Sequence, residues 1–481
     1  MAHNKFLPRV LAAAAAMMLL AGCSSKADPG FSPANPVNIT IWTYYNGEQL
    51  EAFNALVDEF NSTVGKEQGI TVESSSHGSV TDLENNVLAS AEGKVGAEAM
   101  PNIFSAYADT AYALDEMGQI ADLSDYLSEE DRAAFIEDYL SEGDFSGSGS
   151  IKIFPVAKSA ELLFLNETDW EPFAAATGAT YDDLATIEGL VSVAERYYEW
   201  TDAQTPDIPN DGRAFFGRDA MANYILAGAK ELGAPIFCAK NGSMTLNFDH
   251  DAVRTLWDNY YVPFIKGYFS ASGRFRSDDV KTGNIIAYVG SSSSATFFPT
   301  QVIADDMDSH DITRKALESP KFANGEDYAV QQGAGMVVTK ASDAEIQASL
   351  VFLKWFTSPE HNITFSVDSG YLPVTHEGNS IDAIRISGLA LSDEMDEVLS
   401  AAVDTVNENH LYTPRAFSGG TNARAILEYS MSDKASADRA AVKEAMAQGQ
   451  SFEDASAQFL SDECFEAWYQ DTLASLEAFQ G

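Results

Sequence analysis

The chain of 481 residues carries 72 Asp and Glu against 29 Lys and Arg, a formal charge of −43, and 45% of it is hydrophobic, with 28 Phe and 19 Tyr. A charge of that sign is repelled by polyphosphate backbones, which makes nucleic acid a poor partner, and the apolar content excludes a disordered chain. The length suffices for two or more domains with full cores.

Lys5 and Arg9 precede an apolar run from Val10 to Leu20, the layout of a secretory signal and too short to span a bilayer as a stable helix. Leu20-Ala21-Gly22-Cys23 resembles the lipobox of bacterial lipoproteins. That resemblance implies removal of residues 1–22, lipid on the Cys23 sulfur, and anchoring in the cell membrane facing the extracellular space or periplasm. The polar segment 23–36 then reads as a flexible tether. Two further cysteines, Cys238 and Cys464, could pair in an oxidising milieu or remain separate thiols.

The ordered chain is expected to begin at VNITIWTYY, where Val37, Ile39 and Ile41 alternate as in a strand. Leu50, Phe53, Val57 and Phe60 then mark one face of a helix. Residues 70–74 predict a second strand, Thr81-Asp82-Leu83-Glu84 a capping box opening another helix, and 102–107 a third strand. This order argues for a parallel sheet with right-handed crossovers. A second series starts at IKIFPVAKSAELLFLNETDW and continues through a helix over 181–200, a short strand near 214–216 and a helix over 219–232. GNIIAYVGSSSSATFF is expected to be a strand running into a loop and a helix N-terminus, and GAGMVVTK another strand. Ile346, Leu350, Leu353 and Phe356 form the apolar stripe of a helix, and the last hundred residues are mostly helical in pattern. The fold class is α/β.

Catalytic signatures are missing from the sequence: no G-x-S-x-G elbow, H-E-x-x-H, Walker loop or Cys-x-x-Cys pair occurs. The seven His show no metal-ligand spacing, and DIPNDG at 207–212 reads as a turn. Neither an enzyme nor a cofactor or metal is expected. Instead, aromatic, amide and small polar residues gather where strands should end, the position at which open α/β sheets bind ligands. Trp42, Tyr44, Tyr45 and Asn46 follow the first strand and Tyr107 and Asp109 the third. Lys158, Ser159 and Glu161 lie in VAKSAE, Ser291 to Ser294 follow AYVG, and Tyr371 lies in GYLPVT. Aromatic faces pack on the apolar face of a sugar ring while carboxylates, amides and hydroxyls pair its hydroxyl groups, so the set suits a polar-solute cleft. Each also has an ordinary reading: Trp42 and Tyr44 as core, Asp109 as a helix cap, Lys158 as a solvated strand end.

Together ITIWTYYNGE, MPNIFSAYADTAYALDEMGQIADLSDYL, FPVAKSAELLFLNET, VKTGNIIAYVGSSS and ASLVFLKWFTSPEHNITFSVDSGYLPVT resemble, in order, segments of the extracellular solute-binding proteins of bacterial ABC importers, the family of maltose-binding and glycerol-3-phosphate-binding proteins. The resemblance implies the two-lobed periplasmic-binding-protein fold of type II, with a hinge crossed three times. One lobe would take residues 37–156 with 331–377, the other 157–330 with 378–481. It implies ligand-binding roles for Ser159, Ser291, Ser292, Gly333 and Tyr371, and for an arginine near Arg415 or Arg424. The pattern departs near Val80 and at Ala108, which leaves Asp109 one residue further on. The function implied is a monomeric substrate-binding lipoprotein that takes a carbohydrate to a membrane permease. Glycerol 3-phosphate or a polyol phosphate is the alternative ligand, with Lys158 and an arginine balancing its charge. A ligand-sensing subunit and an exported carbohydrate-active enzyme are the remaining readings. Trp42→Ala combined with Tyr371→Ala is expected to abolish binding and to preserve the melting temperature.

Overall fold

Strand Val37–Thr43 buries Ile39 and Ile41 on one side and Trp42 on the other, so its alternation fixes two covered faces. The computed structural model in which this is seen describes residues 30–240, 243–303 and 309–480. The signal segment, the lipobox with Cys23 and the start of the tether lie outside the described residues.

Strands Ile70–Ser76 and Ile103–Ala106 flank Val37–Thr43 in parallel, and Gly335–Val338 adds an antiparallel edge beside Ile103–Ala106. Helices Gly47–Ser62, Asp343–Phe356 and Pro359–Ser369 cover the Ile39 face through Phe53, Phe60, Phe352, Phe356 and Phe365, whose rings pack edge to face or tilted. Leu83, Val87, Phe104 and Leu114 join Trp42 on the opposite face. The helix expected to open at Thr81 spans Val80–Ala91, and its cap is Ser79, whose hydroxyl accepts from Asp82 N at 3.1 Å. Gly78 at φ +79° turns the chain into that extended cap residue two positions earlier than the spacing suggests.

A second sheet has the order Arg314–Glu318, Glu161–Asn166, Ala287–Ser291, Phe216–Arg218. Leu162 and Phe164 share one apolar cluster with Val398 and Leu399 of helix Asp393–Glu408, while Leu163 and Leu165 join another with Trp257, Tyr261 and Phe264 of helix His250–Lys266. The long helix Gly420–Ala447 packs on His250–Lys266 and on Met221–Glu231, and Tyr469 O–H donates to Phe248 O at 2.6 Å from the last helix, Asp462–Glu477. The strand expected at 214–216 is Phe216–Arg218, and the helix after it starts at Met221 because Ala220 adopts a left-handed φ of 52°.

Three stretches run side by side between the sheets. Bridges join Phe154 to Met336, Ser159 to Gln332 and Lys158 to Leu372, and Val156, Ala157, Ala160, Leu372 and Val374 carry the apolar core across the junction. Among the described residues no helix is long and apolar enough to cross a membrane. Cys238 and Cys464 are free thiols.

Candidate functional site

The first strand delivers its C-terminal residues to the junction. The Tyr44 hydroxyl lies 3.3 Å from that of Tyr371, and Ala334 N donates to Tyr44 at 3.4 Å. Tyr107 caps helix Ala108–Glu116. It keeps 36% of its surface accessible, yet burial by the surrounding protein and the field of Tyr371 raise its phenol. Burial also raises Tyr44 and Tyr371, with Tyr371 adding to the rise at Tyr44. Trp42 packs against His77 at a ring separation of 4.4 Å, and the Asn46 amide donates to Gly78 O at 3.4 Å.

Carboxylates surround these rings. Burial pushes the Asp109 carboxyl up to about 6 against the opposing pull of Arg424, with Glu84 and Glu142 adding to the rise. Glu84 is raised by burial too, and accepts from the Thr110 hydroxyl at 2.8 Å. Arg424, on the long helix, donates to Asn223, whose amide donates in turn to Glu161 at 2.8 Å. Gly420 presses on Asp109 where a Cβ would clash, so a glycine is what lets this helix approach that wall. Asp219, at the end of strand Phe216–Arg218, is pushed up to about 6 by burial despite Arg276.

Between the two halves lies a cavity of about 690 Å³ lined by Asn46, Gln49, Asp219, Phe275, Ser293 and Phe297 among others. Gln49 spans it, donating to Ser293 O at 3.2 Å. The volume is in the range of small-molecule sites. Among the described residues no cluster of His, Cys, Asp and Glu is arranged to hold a metal ion.

The structure brings Tyr44, Tyr107, Asp109 and Tyr371 to this junction, with Asn46 at the cavity; Trp42 lies instead in the core with Leu83, Val87 and Phe104, against His77. Other expected residues do different work. Tyr45 is 1% exposed and packs against Phe53, Phe365 and Tyr371 as core. Lys158, expected at a solvated strand end or against a phosphate, is fully buried, paired with Glu142 and bonded to Gly333 O at 2.8 Å. The strand crossing beneath it leaves no solvent for the ammonium, so a carboxylate must meet it. Glu161 is buried too, held by Arg218, Asn223 and Gln332. Ser159 N donates to Gln332 O at 3.1 Å within the crossing. The Ser292 hydroxyl donates to Gly370 O at 2.9 Å, tying the second sheet's loop to the third crossing, while that of Ser291 lies 2.9 Å from the Ser293 hydroxyl. Gly333, at φ +85°, abuts the Ala157 carbonyl, 2.7 Å from where a Cβ would stand. Arg415 is exposed and lies against the Gly147 turn; Arg424 is the arginine near Asp109.

Trp42 and Tyr371 are 6% and 5% exposed, so removing both rings should open cavities and lower the melting temperature rather than preserve it. Glu84, Gln49, Asp219 and Asn223 were not singled out from the sequence as site residues. Glu84 reads there as a capping residue and Asp219 as a helix start; in the fold Gln49 and Asp219 line the cavity, while Glu84 and Asn223 both face Arg424.

The family model "Bacterial extracellular solute-binding protein" matches residues 55–384. A comparison with curated protein sequences gives no match. Among solved structures, the cyclic alpha-maltosyl-1,6-maltose binding protein from Arthrobacter globiformis superposes with a TM-score of 0.65 at 17% identity, over 92% of this chain and all (100%) of that one. UgpB from Mycobacterium tuberculosis, in complex with glycerophosphocholine, gives 0.63 at 17% identity, over 92% and 99%. The Thermus thermophilus maltotriose binding protein, bound with maltotriose, gives 0.58 at 13%, over 92% and 99%.

Proposed function

The chain belongs to the bacterial extracellular solute-binding proteins, with the type II periplasmic-binding fold, and from that premise we propose that it captures a carbohydrate between two lobes for an ABC permease. One lobe is 37–156 with 331–377 and the other 157–330 with 378–481, so that the crossing segments are the hinge. Solute touching both walls favours the closed arrangement, and the permease reads closure rather than the solute itself. Capture involves no covalent step. A lipid on Cys23 would hold the monomeric receptor at the outer face of the membrane.

The observation that carries the reading is the cleft's chemistry. Phenol rings of Tyr44, Tyr107 and Tyr371 stand together with the carboxyl of Glu84, which neighbours that of Asp109, Asp219 lines the cavity beside Asn46 and Gln49, and Lys158 is already neutralised by Glu142. Sugar hydroxyls donate to such carboxylates, whereas a phosphate dianion would be repelled by them. Arg424 beside Asp109 supports the second reading, a polyol phosphate or phosphodiester, and the likeness to a glycerophosphocholine-bound structure is compatible with it.

A thermal-shift series with mono- and oligosaccharides, polyols, glycerol 3-phosphate and glycerophosphocholine tests the choice. Ligand at about a hundred times its dissociation constant stabilises the native state by roughly 2.7 kcal/mol. A shift with a saccharide series is expected; a shift confined to the phosphate esters would replace the first reading with the second.

A further inference from the structure

A second recess shares no residue with the cleft cavity. It is a groove of about 540 Å³ between the loop 210–214, the turn 282–284 and helix Gly420–Ala447, and its walls carry Arg213, Arg439 and Lys443. Three of the 29 basic residues of a chain with charge −43 thus converge in one recess. Arg439 and Lys443 stand four residues apart on one helix face, where like charges repel. The surrounding protein and then the Arg439 guanidinium push the Lys443 ammonium below the usual lysine range. Neither residue forms an ion pair with a carboxylate among the described residues. Arg439 instead donates to Ile265 O at 2.8 Å and lies against Gly267, whose missing side chain makes room for it at φ +89°. The one carboxylate in the lining, Asp211, accepts from the Thr205 hydroxyl at 2.6 Å, and Asn284 and Ser436 add neutral donors.

We propose that this groove is a binding site for a phosphate group, carried by a free phosphate or phosphate ester or by a phospholipid headgroup. A guanidinium presents paired donors to phosphate oxygens and an ammonium adds a point charge. A bound dianion would offset the repulsion between Arg439 and Lys443. This site is independent of the solute cleft.

The test compares the purified protein with Arg439→Gln/Lys443→Gln in inorganic phosphate and in chloride at matched ionic strength, reading the melting temperature. General salt effects act on both proteins alike. A phosphate-specific rise in the parent that the double variant loses is expected, and supports a soluble ligand. Cosedimentation with phosphatidylglycerol vesicles, lost in the double variant, supports a headgroup whether or not free phosphate acts. Equal responses of the two proteins to both probes overturn the proposal. If the double variant does not fold, the exposed Lys443→Gln alone is compared in the same way: a weakened response supports the site and an unchanged one overturns it.

Discussion

Glu231 shows what one buried carboxyl does to the whole protein. It is 8% exposed, accepts from Phe322 N at 3.0 Å, and burial pushes it up to about 7. The folded state therefore keeps a proton that the unfolded chain has already released between about pH 4.5 and 7. Stability from this group falls as pH rises through that window and is flat above it. At 1.36 kcal/mol per unit the total is roughly 3 kcal/mol. Glu231→Gln should be more stable than the parent at pH 8 by up to that amount and equal to it near pH 4, as urea unfolding at the two pH values would show. Asp109 and Asp219, both at about 6, keep a shallower slope in the variant below pH 6. Tyr107, being partly accessible, separates binding from folding better than Trp42 does: Tyr107→Ala should weaken solute binding at least about tenfold, some 1.4 kcal/mol, with little change in melting temperature. Calorimetric titration with the solute found by thermal shift measures it, and an undiminished affinity would remove Tyr107 from the site. From sequence, Tyr107 and Asp109 were legible because they follow a strand. Glu231 was not, because burial of a helical Glu depends on what the rest of the chain lays over it.

At the scale of elements, Lys158 ties the junction together. Its backbone N–H donates to Leu372 O at 3.2 Å, its Nζ to Gly333 O at 2.8 Å, and its charge meets Glu142, so one residue, through main chain and side chain together, joins all three crossing segments. Lys158→Met leaves the Glu142 carboxylate buried without its partner and should cost about 3–5 kcal/mol. Adding Glu142→Gln should restore much of that loss; denaturant unfolding of the single and double variants measures the coupling. Failure of the second change to rescue the first would show that Lys158 acts through its bonds to the crossing strands rather than through the ion pair. Helix Asp343–Phe356 depends on a local device, the capping box of Ser342 and Glu345, and Ser342→Ala should cost about 1 kcal/mol in the same experiment. The first sheet was legible element by element, because its strands and helices follow one another with clear periods. The role of VAKSAE was not: short apolar and small residues look alike in a ligand wall and in a hinge, and only the bridges to Gln332 and Leu372 distinguish them.

For the molecule as a whole, the charge of −43 opposes its own compaction. Raising ionic strength from about 0.01 M to 0.15 M shortens the screening length from about 30 to 8 Å, so the melting temperature should rise with sodium chloride over that range; a flat response would mean that the paired surface charges already cancel the repulsion. Composition made the acidity plain, yet it did not reveal that Arg213, Arg439 and Lys443 line one groove. The return of the C-terminal helices onto the second sheet has a consequence for how the protein comes into being. Trp257 and Tyr261 are covered by Phe465, Trp468 and the helix Gly420–Ala447, segments separated from them by some two hundred positions. A nascent chain halted before residue 420 would present those aromatic rings to water, and contacts of such long sequence separation close slowly. The aromatic layer over helix His250–Lys266 therefore stays uncovered until the C-terminal helices have been made, so the completion of this part of the core waits on the last segments of the chain to be synthesised.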